Sequence, residues 1–210
     1  LAASGGRLLV STDTGAIHCF ASATGQQPAE RPTRAADLGS PYPDDQQTAK
    51  YEQAAEKIVQ ASAMQQGYCL VLGAGDGRLA CEIARRSQFQ VIGLEADAAK
   101  AAAARKRLRQ AGLYGTRVSI HCGTLDQVRY QRYFANLITS AEALEGKLPA
   151  AAAEVYRVLR PCGGKLVFVL PAGDSSGSAL EKWGAGAIAG WKVEKDAAGS
   201  WLGTAERGPL

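Results

Sequence analysis

Residues Tyr68–Asp97, YCLVLGAGDGRLACEIARRSQFQVIGLEAD, read as the strand, glycine turn, helix, second strand and acidic tip of one βαβ unit. Tyr68–Leu72 is an apolar run long enough for a buried strand, and it breaks into Gly73, Ala74, Gly75, Asp76 and Gly77 before the helical pattern of Leu79, Ile83 and Ala84 begins. The turn therefore sits at the carboxyl end of a strand. Open parallel sheets bind ligands there, because the opening helix offers unpaired N–H groups and glycines let a ligand approach the backbone. Gln90–Leu94 is the second strand, with Glu95 at its tip, and Asp97 is placed to cap the next helix.

The chain of 210 residues suffices for one ordinary core, or one domain with an appended fragment of another. A hydrophobic content of 46% with 21% charged residues excludes a disordered chain. No apolar run approaches membrane-spanning length, and the start carries no signal-peptide pattern. The chain opens at Leu1 without a methionine and stops at Arg207-Gly208-Pro209-Leu210, so a piece of something longer is expected. A net charge of +4 without a concentrated basic patch argues against nucleic acid as a partner. Cys19, Cys69, Cys81, Cys122 and Cys162 form no C-x-x-C pair. With Cys69 and Cys122 in strand patterns and Cys81 in a helix, they are expected to be small buried hydrophobes in a reducing environment.

Three segments are expected: a β-hairpin over 1–27, a linker over 28–45 and an α/β domain over 46–207. In Gly6–Phe20, Leu8–Val10 forms one strand, Asp13-Thr14-Gly15 turns, and Ala16–Phe20 returns before a further turn at Thr24-Gly25. His18 in the returning strand reads as structural. Pro28, Pro32, Pro41 and Pro43 among polar residues mark the linker. Asp44 or Asp45 then caps a helix to about Met64, with Tyr51, Ala54, Ala55, Ile58 and Ala61 on one stripe and Gly67 ending it.

Beyond the opening unit, an alanine-rich helix runs through Lys100, Arg105, Lys106, Arg107 and Arg109 to Gly112, its basic residues read as a solvated face. Arg117–Cys122 and Ala135–Thr139 are the third and fourth strands. Leu148-Pro149 is expected to start a helix with Ala152, Val155, Tyr156 and Leu159 inward, and Leu166–Leu170 to be the fifth strand. Ser178 to about Ile188 reads as a glycine-weakened helix, followed by a hairpin of Trp191–Lys195 and Ser200–Ala205. Such alternation predicts an α/β, doubly wound, mostly parallel sheet with helices on both faces and an antiparallel C-terminal hairpin.

A glycine turn in this context suits a nucleoside, since a carboxylate at Glu95 can accept from both ribose hydroxyls. A dinucleotide fingerprint wants its third glycine where Arg78 stands. Gly73-Ala74-Gly75-Asp76-Gly77 instead resembles motif I of the Rossmann-like (class I) S-adenosylmethionine-dependent methyltransferases. The resemblance runs from about Ala49 to Leu170 and includes Arg160-Pro161-Cys162-Gly163-Gly164, similar to their L-(K/R)-P-G-G passage with Cys162 inserted. It implies S-adenosylmethionine as cofactor and Gly73, Ala74, Gly75, Asp76 and Gly77 as its binding loop, the glycines lining methionine and ribose. It also implies Glu95 on the ribose hydroxyls and Thr124 and Leu125 beside the adenine. Val71, Thr124 and Asn136 stand where that family often has acids, each removing a polar handle. Gly6–Phe20 with Thr24-Gly25 resembles one repeat of the pyrroloquinoline-quinone-type β-propellers, which implies contact with further repeats.

Methyl transfer from a sulfonium needs positioning more than a protein nucleophile. If a base exists, Glu142 beyond the fourth strand is the first candidate, ahead of His121 and Tyr133. The expected function is thus a methyltransferase domain acting on an unidentified small-molecule or protein acceptor. The alternatives are a noncatalytic binding or scaffold domain within a propeller protein and, third, an NAD-binding oxidoreductase. An active methyltransferase implies the cytoplasm, and an exported propeller implies the periplasm or beyond.

Overall fold

The computed structural model describes residues 2–11, 17–21, 40–149 and 151–209, which belong to two compact units, Leu1–Ala35 and Ala36–Leu210. In the first unit β1 (Ala2–Ser4), β2 (Arg7–Ser11) and β3 (Ile17–Ala21) form an antiparallel sheet in that order. The two expected hairpin strands are β2 and β3, and β1 adds an edge that the sequence pattern did not disclose. The turns at Asp13-Thr14-Gly15 and Thr24-Gly25 lie outside the described residues, as does most of the expected linker. Leu8, Leu9, Ile17 and Phe20 are all exposed.

The second unit opens with α1 (Gln46–Ser62) and β4 (Gln66–Leu72). There follow α2 (Arg78–Arg86), β5 (Gln88–Glu95), α3 (Ala98–Gln110) and β6 (Val118–Cys122). The chain continues through α4 (Leu125–Val128), β7 (Leu137–Ser140), a single 3-10 turn at Glu142–Glu145 and α5 (Ala152–Val158). It closes with β8 (Gly164–Leu170), α6 (Asp174–Gly184), β9 (Lys192–Lys195) and β10 (Trp201–Arg207). The seven-stranded sheet has the order β6-β5-β4-β7-β8-β10-β9. The β4, β5, β6, β7 and β8 pairings are parallel, while β10 runs antiparallel between β8 and β9. The doubly wound sheet with a terminal hairpin is therefore present, and the hairpin's second strand is the one that docks on the parallel sheet.

Burial on both faces explains the unbroken apolar runs. Alternate β4 residues divide between two cores: Cys69 and Val71 join α1, α2 and α3 on one face, while Leu70 and Leu72 join α5 and α6 on the other. In α1, Tyr51, Ala54, Ala55 and Ile58 are buried as their spacing predicts, with Val59 beside them. Asp45 caps this helix by accepting from Thr48 N–H at 2.7 Å.

Several boundaries differ from expectation, each for a local reason. The helix α1 stops at Ser62, just short of the expected end near Met64, because Ala63 turns into the left-handed region (φ 53°) and its N–H bonds Gln60 O. Leu148-Pro149 does not open α5, which begins at Ala152. The Pro149 carbonyl instead accepts the Trp183 indole N–H at 3.0 Å. The helix α6 begins before Ser178 and ends at Gly184, with Leu180 buried against the sheet. Cys69 and Cys81 are buried, and burial pushes the Cys81 thiol up to about 12. Cys122 is exposed rather than buried, since it ends the edge strand β6.

The passage from α5 to β8 shows why its residues take their order. A Cβ at Gly164 would lie 2.2 Å from the Arg160 carbonyl oxygen, so only glycine permits this tight return. Cys162 occupies the left-handed region at φ 57° with a side chain that disfavours it. Two opposite outcomes are expected in urea unfolding. Gly164→Ala lowers stability by about 2 kcal/mol or more, and Cys162→Gly raises it by up to ~1 kcal/mol.

Candidate functional site

Strand order reverses between β4 and β7, whose chains leave in opposite directions along the sheet, and a crevice opens at their carboxyl ends. The loop Gly73–Gly77 fills that position. It is pinned to the neighbouring strand by Ala74 N–H donating to Leu94 O at 2.9 Å, and it closes on itself through Gly77 N–H to Ala74 O at 2.9 Å. Glu95 stands at the tip of β5 and is 6% exposed. One carboxylate oxygen accepts Gly75 N–H at 2.6 Å and the other accepts Asp97 N–H at 2.9 Å. Asp97 in turn caps α3 by accepting from Ala99 and Lys100 N–H, and those bonds hold its carboxyl below the usual range.

Beside this loop is a cavity of about 110 Å³. Of the residues singled out from sequence, Gly73, Thr124 and Leu125 line it together, as does Glu142. Leu72, Leu94, Ala96 and Gly123 add the strand and turn backbone, while Pro149 and Val155 close the α5 side. Glu95 is placed one step back, turned inward onto the loop. Ala74 is buried beneath the turn, and Gly77 faces the Tyr42 hydroxyl and the α3 side chains Ala104 and Leu108. Asp76 is directed away from the cavity.

Asp76 belongs to a polar latch behind the loop. Its carboxylate accepts from Arg78 Nε at 2.9 Å and from Arg107 at 3.1 Å, and its carbonyl accepts the Tyr42 hydroxyl at 2.7 Å. The Tyr42 ring carries the Arg78 and Arg107 guanidinium groups at 5.1 and 5.8 Å from its centroid. Burial raises the Tyr42 phenol far above its ordinary range, keeping it a donor. Arg78 also donates to Asp45 at 3.0 Å and to Thr48 Oγ1 at 2.8 Å, tying the latch to the α1 cap.

Residues 40–45, expected as linker, are therefore part of the domain. Periodicity could not reveal Tyr42; its only signal was an aromatic residue between two prolines just before a helix cap. The basic residues of α3 also depart from a plain solvated face: Arg105 donates to Ile120 O at 3.0 Å, and Arg107 completes the latch.

The other candidates lie elsewhere. His121 Nδ1 pairs with the Tyr130 hydroxyl at 2.7 Å, and burial followed by the Arg105 charge lowers its pKa. Tyr133 stacks under Arg207, 4.8 Å from ring centroid to guanidinium. Asn136 is at the amino end of the sheet, where Oδ1 accepts Tyr68 N–H at 3.0 Å, so the missing acid there is not a handle on the crevice. Val71 is fully buried in the core. Among the described residues no cluster could hold a metal ion.

Residues 69–163 match the family model for a methyltransferase domain. No curated protein matches the chain. Among solved structures, the fold is similar to a protein of Methanococcus maripaludis assigned as an S-adenosyl-L-methionine-dependent methyltransferase, at 20% identity and a TM-score of 0.61, over 77% of this chain and 87% of that one. It is similar also to a SAM-dependent methyltransferase from Aquifex aeolicus, at 16% identity and a TM-score of 0.58, over 78% of this chain and 93% of that one. A third is phosphoethanolamine N-methyltransferase 2 of Haemonchus contortus, solved with S-adenosyl-L-methionine. There the identity is 18% and the TM-score 0.54, over 68% of this chain and 38% of that one. At such identities the likeness establishes the Rossmann-like methyltransferase fold.

The latch is open to a direct test by urea unfolding. Arg78→Met removes the donor shared by Asp45 and Thr48, leaves Asp76 with Arg107 alone, and is expected to cost about 2 kcal/mol. Tyr42→Phe, which removes one hydroxyl bond and keeps the ring, is expected to cost ~1 kcal/mol.

Proposed function

We propose that the unit Ala36–Leu210 is a methyltransferase domain that transfers a methyl group from S-adenosylmethionine to an acceptor of unidentified chemistry. The observation that carries this reading is the conjunction of the glycine loop, Glu95 and the apolar cavity at the sheet's switch point, within the segment that matches the methyltransferase family. Its cofactor loop would be Gly73, Ala74, Gly75, Asp76 and Gly77, with Asp76 acting through the latch behind the loop.

The residues fit a nucleoside cofactor. Gly73 leaves the loop backbone open, and Leu72, Leu94, Ala96 and Leu125 offer apolar walls for a base. Each Glu95 oxygen has a second lone pair beyond the N–H it already accepts, available to a ribose hydroxyl. Thr124 would lie at the adenine end, and it forms a capping box with Gln127 at the start of α4. Ligand pockets usually exceed ~300 Å³, so entry requires side chains at the cavity wall to turn outward.

The bound cofactor supplies a methyl group on a cationic sulfur, already activated for displacement. What the chain contributes is orientation and exclusion of water: a loop held by Glu95 and the latch, and apolar walls that strengthen electrostatic contacts within the cavity. No dedicated nucleophile is needed. His121 and Tyr133 do not line the cavity, whereas Glu142, the first base candidate, does.

For the first unit, the resemblance to a propeller repeat is retained as part of the proposal. An antiparallel three-stranded meander with exposed Leu8, Leu9, Ile17 and Phe20 supports it, since a blade buries such residues against neighbouring blades. In that arrangement the methyltransferase unit would work in the cytoplasm, where its cofactor is made, unless the propeller carries it into an exported protein. The noncatalytic reading is favoured by one observation: the cavity is small, about 110 Å³.

Calorimetric titration separates these readings. S-adenosylmethionine is expected to bind at sub-millimolar concentration, and Glu95→Ala to weaken it by about tenfold or more, with Glu95→Gln recovering part of the loss. No binding at millimolar ligand rejects the methyltransferase reading. Preferential binding of NAD would favour the oxidoreductase instead. Binding without methyl transfer to any acceptor would favour the scaffold.

A further inference from the structure

Glu142 is the one charged side chain among the residues lining the cavity, and Thr124 is the other polar one. Its carboxyl group lies directly on the first glycine of the loop. A Cβ built at Gly73 would meet Glu142 Cγ at 2.3 Å, Cδ at 2.4 Å and Oε2 at 2.7 Å. Glycine at position 73 thus makes room for this carboxylate as well as for the turn, whose φ is 56°. The segment bearing it is fixed from behind: Lys147 N–H donates to Glu142 O at 3.1 Å and Ala143 N–H to the Ser140 hydroxyl at 3.3 Å. None of the ion pairs among the described residues includes Glu142, and the nearby Lys147 pairs with Glu145 instead.

Glu142 is solvent-exposed at the cavity's edge, and a ligand that enters would strip water from its carboxylate, a cost unless that ligand brings a compensating charge. Glu95 is turned onto the loop backbone, where its oxygens accept Gly75 and Asp97 N–H and keep only the lone pairs that a ribose hydroxyl would use. Val71 offers no acid. Resting on the reading of the cavity as an S-adenosylmethionine site, we propose that Glu142 is the counter-charge for the cationic methionine half of the cofactor and thereby a determinant of ligand selection. That half carries positive charge at two places, the sulfonium and the α-ammonium. A carboxylate seated on the glycine loop lies on the cofactor's side of the cavity, which fits a counter-charge better than a base that must reach the acceptor's proton.

The test is a calorimetric comparison of wild type and Glu142→Gln with three ligands: S-adenosylmethionine, S-adenosylhomocysteine and 5′-methylthioadenosine, which carry both cations, the ammonium alone, and neither. Expected is a loss of about tenfold for S-adenosylmethionine with 5′-methylthioadenosine unchanged. An equal loss for S-adenosylhomocysteine assigns the contact to the ammonium, and no loss for it assigns the contact to the sulfonium. Unchanged binding of all three, or an equal loss for all three, overturns the proposal. A wild type that binds none of them rejects the methyltransferase reading itself, a distinguishable result. Should Glu142→Gln fail to fold, the salt dependence of the wild type decides: a counter-charge requires S-adenosylmethionine affinity to fall with ionic strength more steeply than that of 5′-methylthioadenosine.

Discussion

A buried carboxylate that accepts two backbone N–H groups is the constraint on which the crevice depends. Glu95 joins the glycine loop, through Gly75, to the start of α3, through Asp97, and so couples both segments that leave the carboxyl ends of β4 and β5. Burying such a group is unfavourable unless its lone pairs are used, and here the loop uses them. The same bonds hold an open-ended turn in one conformation without filling the space in front of it.

The latch behind the loop supplies the opposing half of that constraint. Asp76 points backward because Arg78 and Arg107 converge there, and Tyr42 closes the arrangement by occupying the space that Gly77 leaves. Arg78 is nearly buried and would be costly if unpaired, so its bonds to Asp45, Asp76 and Thr48 act as a set. The loop is thereby anchored to helices on one face of the sheet while its other side borders the cavity. Preorganisation of this kind lets a ligand bind without paying to order the turn.

Much of this was legible in the residues before any coordinates. The unbroken apolar run of β4, the glycines after it and the acid after β5 forecast the βαβ unit and the turn at its carboxyl end, because burial on both faces and turn chemistry act through near neighbours in sequence. Glu142 was also within reach, since an acid just past a strand end falls at the carboxyl edge of the sheet. Asp76 was legible as a loop residue but not in its direction, which depends on Arg107 from α3. Tyr42 was read as linker because its partners lie 34 residues and more away. The start of α5 was misplaced because Pro149 serves a distant indole rather than a helix terminus.

By itself the sequence determined the class of fold, the order of its parallel strands along the chain and the glycine turn with its acidic partner, since periodicity, propensity and turn chemistry are local. Only the tertiary structure decided that Asp76 faces backward, that residues 40–45 belong to the domain, and that Glu142 rests on Gly73. Those outcomes come from side chains far apart in sequence competing for the same buried space and the same lone pairs, and no local pattern encodes which of them wins.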